Sequence, residues 1–274
     1  MNLDGVAWRR RREKCLLHSE FPILNSDDVS PMPSPPSALA LVRERVISCN
    51  RCQRLREYCG RVGAVKKAAY RDDIYWARPV PGFGDPNARV LVIGLAPAAH
   101  GANRTGRVFT GDGALGSGDF LMRAMHAHGF ASQPTSERKD DGLKLTDAYI
   151  TMAARCAPPD NKPTSAEIAA CHDYLVSEFT ALSRVSVIVC LGRIAYDAAW
   201  RLLDSCGVRI APRPPFGHGA VHHLSAGYAV IASYHPSRQN TNTGRLTPAM
   251  LSDVFREAGK IAGAASRPGG AGKR

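Results

Sequence analysis

Between Arg78 and Gly94 the chain passes from a proline- and glycine-punctuated loop, RPVPGFGDPN, into ARVLVIG, an unbroken apolar run of strand length. A run without polar alternation must be covered on both faces, as in a parallel sheet with helices on either side. Similar runs follow at Asp147–Ala153, Val185–Leu191 and Tyr228–Ser233. Between them lie helical stretches near Asp119–His128, Ser165–Arg184 and Ile194–Cys206. Thr164, with Glu167 three residues on, reads as a helix start. Alternating strands and helices predict an α/β fold, a three-layer α/β/α sandwich around a central, mostly parallel four-stranded sheet. Ligands of such sheets sit outside the carboxyl ends of the strands, so the loops there should carry function.

The 274 residues divide into a basic, proline-rich N-terminal extension (1–37) expected to be poorly ordered, one domain (38–263) and a basic tail (264–274) expected to be disordered. The formal net charge of +12 favours a polyanionic partner, nucleic acid before membrane. No apolar run is long enough to span a bilayer, and the basic N-terminus lacks the apolar core of a signal peptide. A cytoplasmic protein, nucleoid-associated in a bacterial cell, is therefore expected. Eight cysteines without a secretory signal point to metal ligation rather than disulfides.

Long loops leave the predicted strands at Gly94–Asp119, Arg155–Thr164 and Ser233–Thr247. Connections of this length in a compact domain are usually functional, and parallel strands would bring them to one edge. The first is glycine-rich but lacks the Gly-Lys-Ser/Thr ending of a triphosphate loop and the GxGxxG of a dinucleotide site. It holds Asn103, Arg104, Arg107, Phe109 and Asp112, an assortment suited to a base flipped out of its stack: a ring to pack on it and a carboxylate to activate water. Cys49–Cys52 is a C-x-x-C pair, and Cys156 and Cys171 form a second. Four thiolates of this kind suit zinc or an iron–sulfur cluster, and spacing alone does not choose between them. Cys59, near the first pair, is an alternative ligand.

Together these segments resemble the iron–sulfur uracil-DNA glycosylases, most closely the family 5 (B-type) branch. The carriers are CNRC (Cys49–Cys52), YWARPVPGFGDP (Tyr75–Pro86), GLAPAAHGANRTGRVFTGD (Gly94–Asp112), RCAPPDNKPT (Arg155–Thr164), LGRIA (Leu191–Ala195) and SYHPSRQNTNTGRLT (Ser233–Thr247). The resemblance runs from about Ala38 to Gly263. It implies a 4Fe–4S cluster on Cys49, Cys52, Cys156 and Cys171, and a monomer acting on DNA that carries uracil or another damaged base. The related family 4 has an acid where this chain has Leu95, and an asparagine where it has Met152. Two polar positions of the sister family are thus apolar here, which implies broader acceptance of bases such as hypoxanthine, xanthine and ethenocytosine. The link Gly113–Ser117 is longer than the family pattern.

By the same resemblance Asp112 positions or activates water, His235 contacts the base carbonyl, and Asn161 hydrogen-bonds at the site. Gly94, Leu95, Ala96 and Phe109 join Asn161 and His235 around the base. Arg104, Arg107, Ser237, Arg238, Gln239, Asn240 and Arg245 are the expected DNA contacts, with Arg54, Arg56, Lys66 and Lys67 as further phosphate ligands. The competing reading is a non-catalytic nucleic-acid-binding protein with a structural metal site. A metal-dependent hydrolase is disfavoured, because no histidines show ligand spacing.

Overall fold

A computed structural model describes residues 37–113, 116–209 and 211–265. The expectations for the extension and tail therefore fall almost wholly outside the described residues, as does the middle of the Gly113–Ser117 link.

Two helices lead in, α1 (Ala38–Ile47) and α2 (Gln53–Val65), followed by a short edge strand, β1 (Phe83–Gly84). The apolar runs form β2 (Val90–Gly94), β3 (Ala148–Met152), β4 (Val187–Leu191) and β6 (Ala229–Ser233), and β5 (Val221–His223) precedes the last of them. The sheet order is β1-β3-β2-β4-β6-β5. The four long strands are mutually parallel, while β1 and β5 pair antiparallel at the edges. The sheet is thus six-stranded rather than four-stranded, around the parallel core that was expected. The additional strands are only two and three residues long, and their pairing comes from β3 and β6 rather than from any pattern of their own.

Successive residues of β2 point to opposite faces. Val90 and Val92 pack with α4 (Ser117–Ala127) and α8 (Pro248–Ala265), through Leu121, Met125 and Phe255. Leu91 and Ile93 pack with α5 (Ser165–Ala181) and α6 (Arg193–Ser205), through Leu175, Phe179 and Ala199. Every residue of the four long strands is buried, which explains why none alternates. Helix α5 starts where expected: Thr164 accepts from the Glu167 amide and the Glu167 side chain accepts from the Thr164 amide, a reciprocal cap.

From β2 the chain goes to β3 on one side and later to β4 on the other. The order reverses between β2 and β4, and the crevice at their carboxyl ends is where open α/β sheets bind ligands.

Candidate active site

Phe109 and His235 meet in this crevice, their ring centroids 6.1 Å apart and their planes within 29° of parallel. The ring of Phe109 lies over Gly94 at the end of β2, where a β-carbon would come within 2.9 Å of it. His235 follows β6 and packs on Gly192 at the end of β4, whose β-carbon would lie 3.3 Å from that of His235. Gly192 also has φ +96°, a conformation that favours glycine. Phe109 itself takes φ +49°, uncommon for an aromatic residue and a sign of backbone strain held by its surroundings. Met152, at the end of β3, completes the apolar floor, with its sulfur 3.7 Å from the β-carbon position of Gly94.

The loop after β2 turns through α3 (Ala102–Thr105) and brings Asp112 back against its own beginning. A β-carbon on Gly101 would lie 1.8 Å from Asp112 Oδ1. Arg238, in α7 (Arg238–Asn242), donates from Nη2 to the Asp112 carbonyl at 3.1 Å, joining the first loop to the third. Burial pushes the Asp112 carboxyl up to about 6, against the opposing pull of Arg238 and Arg104. Burial also pushes His235 down to about 4, so its imidazole is neutral at ordinary pH. A carboxylate poised near neutrality and a neutral imidazole, on loops that Arg238 joins, are groups suited to proton transfer and hydrogen-bond donation. Enclosure by the folded-back loop is what raises the carboxyl.

The remaining expected site residues divide. Gly94 ends β2, and Leu95 and Ala96 follow it into the loop. Asn161 lies exposed on a 3-10 turn (Pro159–Asn161) with φ +57°, and its side chain makes no hydrogen bond among the described residues. Arg107 is not at the surface: it is 4% exposed and its guanidinium binds Asp141, Thr110 and Ser136. Arg104 is likewise turned inward, gripping Asp73, the His100 carbonyl and the Gly111 carbonyl. Both cations brace the loop instead of reaching for phosphate. Asn240 donates to the His235 carbonyl at 2.8 Å and Ser237 caps α7, so these two also shape the site. Arg238 and Gln239 are exposed, and Arg245 lies over the Tyr234 ring at 4.7 Å. Arg54 binds Glu167, and Arg56 spans the Ala77 carbonyl at 2.9 Å and the Cys156 sulfur at 4.0 Å.

The cysteines gather where α2 begins and β3 ends. Cys156 and Cys171 are buried, and Cys49 and Cys52 partly so. Burial raises the Cys52 thiol, with Cys156 and Cys49 adding to the effect. Burial pushes Cys171 up to about 11, to which Cys156 and Cys52 contribute. Cys52 thus senses Cys49 and Cys156, and Cys171 senses Cys156 and Cys52. Arg155 is fully buried and acts electrostatically on Cys171, and its Nε has no hydrogen-bond partner among the described residues. An anionic four-thiolate centre fits that donor and the nearby Arg56. Cys59, the alternative ligand, is buried against Cys156 and donates to the Ala157 carbonyl at 3.6 Å. Among the described residues no three His, Cys, Asp or Glu side chains are grouped as one metal ion requires.

Sequence reasoning passed over one pair altogether. Glu178 and Arg155, each 1% exposed, form a two-pronged ion pair, and Glu178 also accepts from Thr151 and the Gly82 amide. It ties β1, β3 and α5 together immediately before Cys156.

A model of the uracil DNA glycosylase superfamily matches residues 81–259. The type-5 uracil-DNA glycosylase of Mycobacterium tuberculosis is 49% identical over 216 residues, covering 78% of this chain and 78% of its own. That of Thermus thermophilus is 50% identical over 220 residues, covering 80% of this chain and 96% of its own. The type-4 uracil-DNA glycosylase of Archaeoglobus fulgidus is more distant, at 33% over 159 residues, 58% of this chain and 70% of its own. With the family model spanning the crevice and all three loops, and near one-half identity along most of its length, the chain belongs to the uracil-DNA glycosylase superfamily and groups with its type-5 members.

Proposed function

We propose that this chain is a monofunctional DNA-repair glycosylase that turns uracil, and with it other deaminated or damaged bases, out of DNA and hydrolyses the N-glycosidic bond. The stacking of Phe109 with His235 between the ends of β2 and β4, with Asp112 held to the His235 loop by Arg238, carries this reading. Breaking the bond leaves positive charge on the sugar and negative charge on the departing base. Asp112, ionised above about pH 6, holds a water against the sugar carbon and takes its proton as the oxygen bonds to that carbon. The electron pair of the broken bond leaves with the base. Neutral His235 donates an N–H to the base carbonyl oxygen that gathers this charge. Phe109 floors the pocket.

Leu95 and the buried Met152 leave the end of the pocket apolar, with few polar groups dedicated to uracil. Pockets of that kind discriminate weakly, which supports acceptance of hypoxanthine, xanthine and ethenocytosine. Cys49, Cys52, Cys156 and Cys171 would hold a 4Fe–4S cluster, with Arg155 and Arg56 offsetting its charge. When bound, that group supplies a cross-link between the α1–α2 turn and the segment after β3. The working unit is a monomer on DNA in the cytoplasm, and no helix among the described residues is long and apolar enough to cross a membrane.

The test is base release from duplex oligonucleotides carrying uracil, hypoxanthine, xanthine or ethenocytosine, with purified holoprotein in excess. Release of uracil and at least one of the others is expected. Retention of every base would leave a non-catalytic nucleic-acid-binding protein as the better reading.

A further inference from the structure

Among the described residues, the two most exposed large apolar side chains are Ile74, at 93%, and Val65, at 78%. They bracket one short segment, from Val65 at the end of α2 to Ile74 before Tyr75, that also carries exposed Lys67 and Arg71, with Arg61 one turn earlier on α2. Its two acids do little to cancel this charge. Asp73 is taken by Arg104, and Asp72 forms only an open pair with Arg71 at 3.9 Å.

The segment is held, not loose. Lys66 Nζ donates to the Arg71 carbonyl at 2.9 Å, and the Tyr70 amide to the Lys67 carbonyl at 2.7 Å. On either side of Ile74, Asp73 is clamped by Arg104 and Tyr75 bonds His100 Nδ1 through its hydroxyl at 2.9 Å. Arg104 stacks on Tyr70 at 4.0 Å and donates to the Gly111 carbonyl at 2.8 Å, one residue before Asp112. A bare isoleucine is therefore presented at a fixed place relative to the catalytic carboxylate, among cations.

We propose that this segment is a duplex-contacting surface, with Lys67 and Arg71 on backbone phosphates and Ile74 entering the minor groove beside the turned-out nucleotide. The proposal rests on the glycosylase reading above. Apolar wedges set among cations are how proteins unstack a base step and keep the duplex open. The neighbours of Ile74 are already fixed, so little order is lost on insertion. Exposed isoleucine has no packing to lose, so Ile74→Ala leaves the fold intact.

Single-turnover uracil release from duplex and from single-stranded oligonucleotides of one sequence tests this. Ile74→Ala is expected to slow the duplex reaction roughly tenfold and leave the single-strand rate at the wild-type value. Lys67→Glu with Arg71→Glu should lower the log–log salt slope of binding to an abasic duplex by about two. Wild-type rates on both substrates together with an unchanged slope would overturn the proposal and turn the patch over to a protein partner. If the wild-type protein itself releases no uracil, the glycosylase reading fails instead, and the salt slope still decides the surface.

Discussion

Asp112 lies against Gly101 so closely that a β-carbon there would fall 1.8 Å from its carboxylate oxygen. The loop folds back on itself and leaves no room for any side chain at that point. Gly101→Ala should therefore push the carboxylate out of register while leaving the core untouched. Displacing a catalytic group by about 1 Å costs on the order of a hundredfold in rate. Single-turnover release by Gly101→Ala should fall by roughly that factor, with binding to an abasic duplex close to normal. A wild-type rate would mean that the position of Asp112 is not critical.

The two site ionisations fix the pH profile. In the proposed reaction Asp112 must be ionised to take a proton, and burial raises its carboxyl to about 6. The single-turnover rate should rise with pH through that value and then level off. His235 is neutral above about 4, so it adds no second inflection between pH 5 and 8. A bell-shaped profile in that window, with a descending limb, would show that a charged histidine takes part.

Arg155 and Glu178 are buried as a pair, each 1% exposed. Removing one partner strands the other charge in the interior, at a cost of about 3–5 kcal/mol. Glu178→Ala should lower the denaturation midpoint accordingly, and Glu178→Gln, which keeps some hydrogen bonds to Arg155 and Thr151, should lower it less. Equal midpoints for wild type and Glu178→Ala would show that the pair contributes little.

The cysteine centre reaches the catalytic loop through a short line of contacts. Arg56 joins the Cys156 sulfur to the Ala77 carbonyl, the Ala77 amide bonds the Asn103 carbonyl, and Asn103 is fully buried in α3. Anaerobically purified protein should absorb near about 400 nm and contain iron, as expected of thiolate-bound clusters. Cys156→Ser should lose both, and amide exchange should accelerate across residues 98–112. One equivalent of zinc without iron would remove the cluster proposal.

The parallel core is legible in the sequence because β2, β3, β4 and β6 are each covered on both faces, and nothing but a continuous apolar run satisfies that. Strands β1 and β5 are not, since Phe83–Gly84 sits in a run of turn residues and Val221–His223 is half exposed, each depending on a neighbour for its pairing. Asp112 stands out as the carboxylate of a glycine-rich loop, but its raised pKa arises only once Gly101 and Gly116 close around it. Arg104 and Arg107 read as DNA contacts because a sequence shows a cation without its partner. Asp73 and Asp141, which claim them, lie 31 and 34 residues away. Ile74 carries no signal beyond an apolar residue in RDDIYW, and its meaning comes from being exposed and held.

The most direct measurement is single-turnover uracil release from duplex DNA by wild-type protein and Asp112→Asn, with binding to an abasic duplex measured in parallel. Wild-type protein should release uracil, and Asp112→Asn should be slower by at least about tenfold with affinity nearly unchanged. Equal rates would contradict the role assigned to the carboxylate beside Gly101.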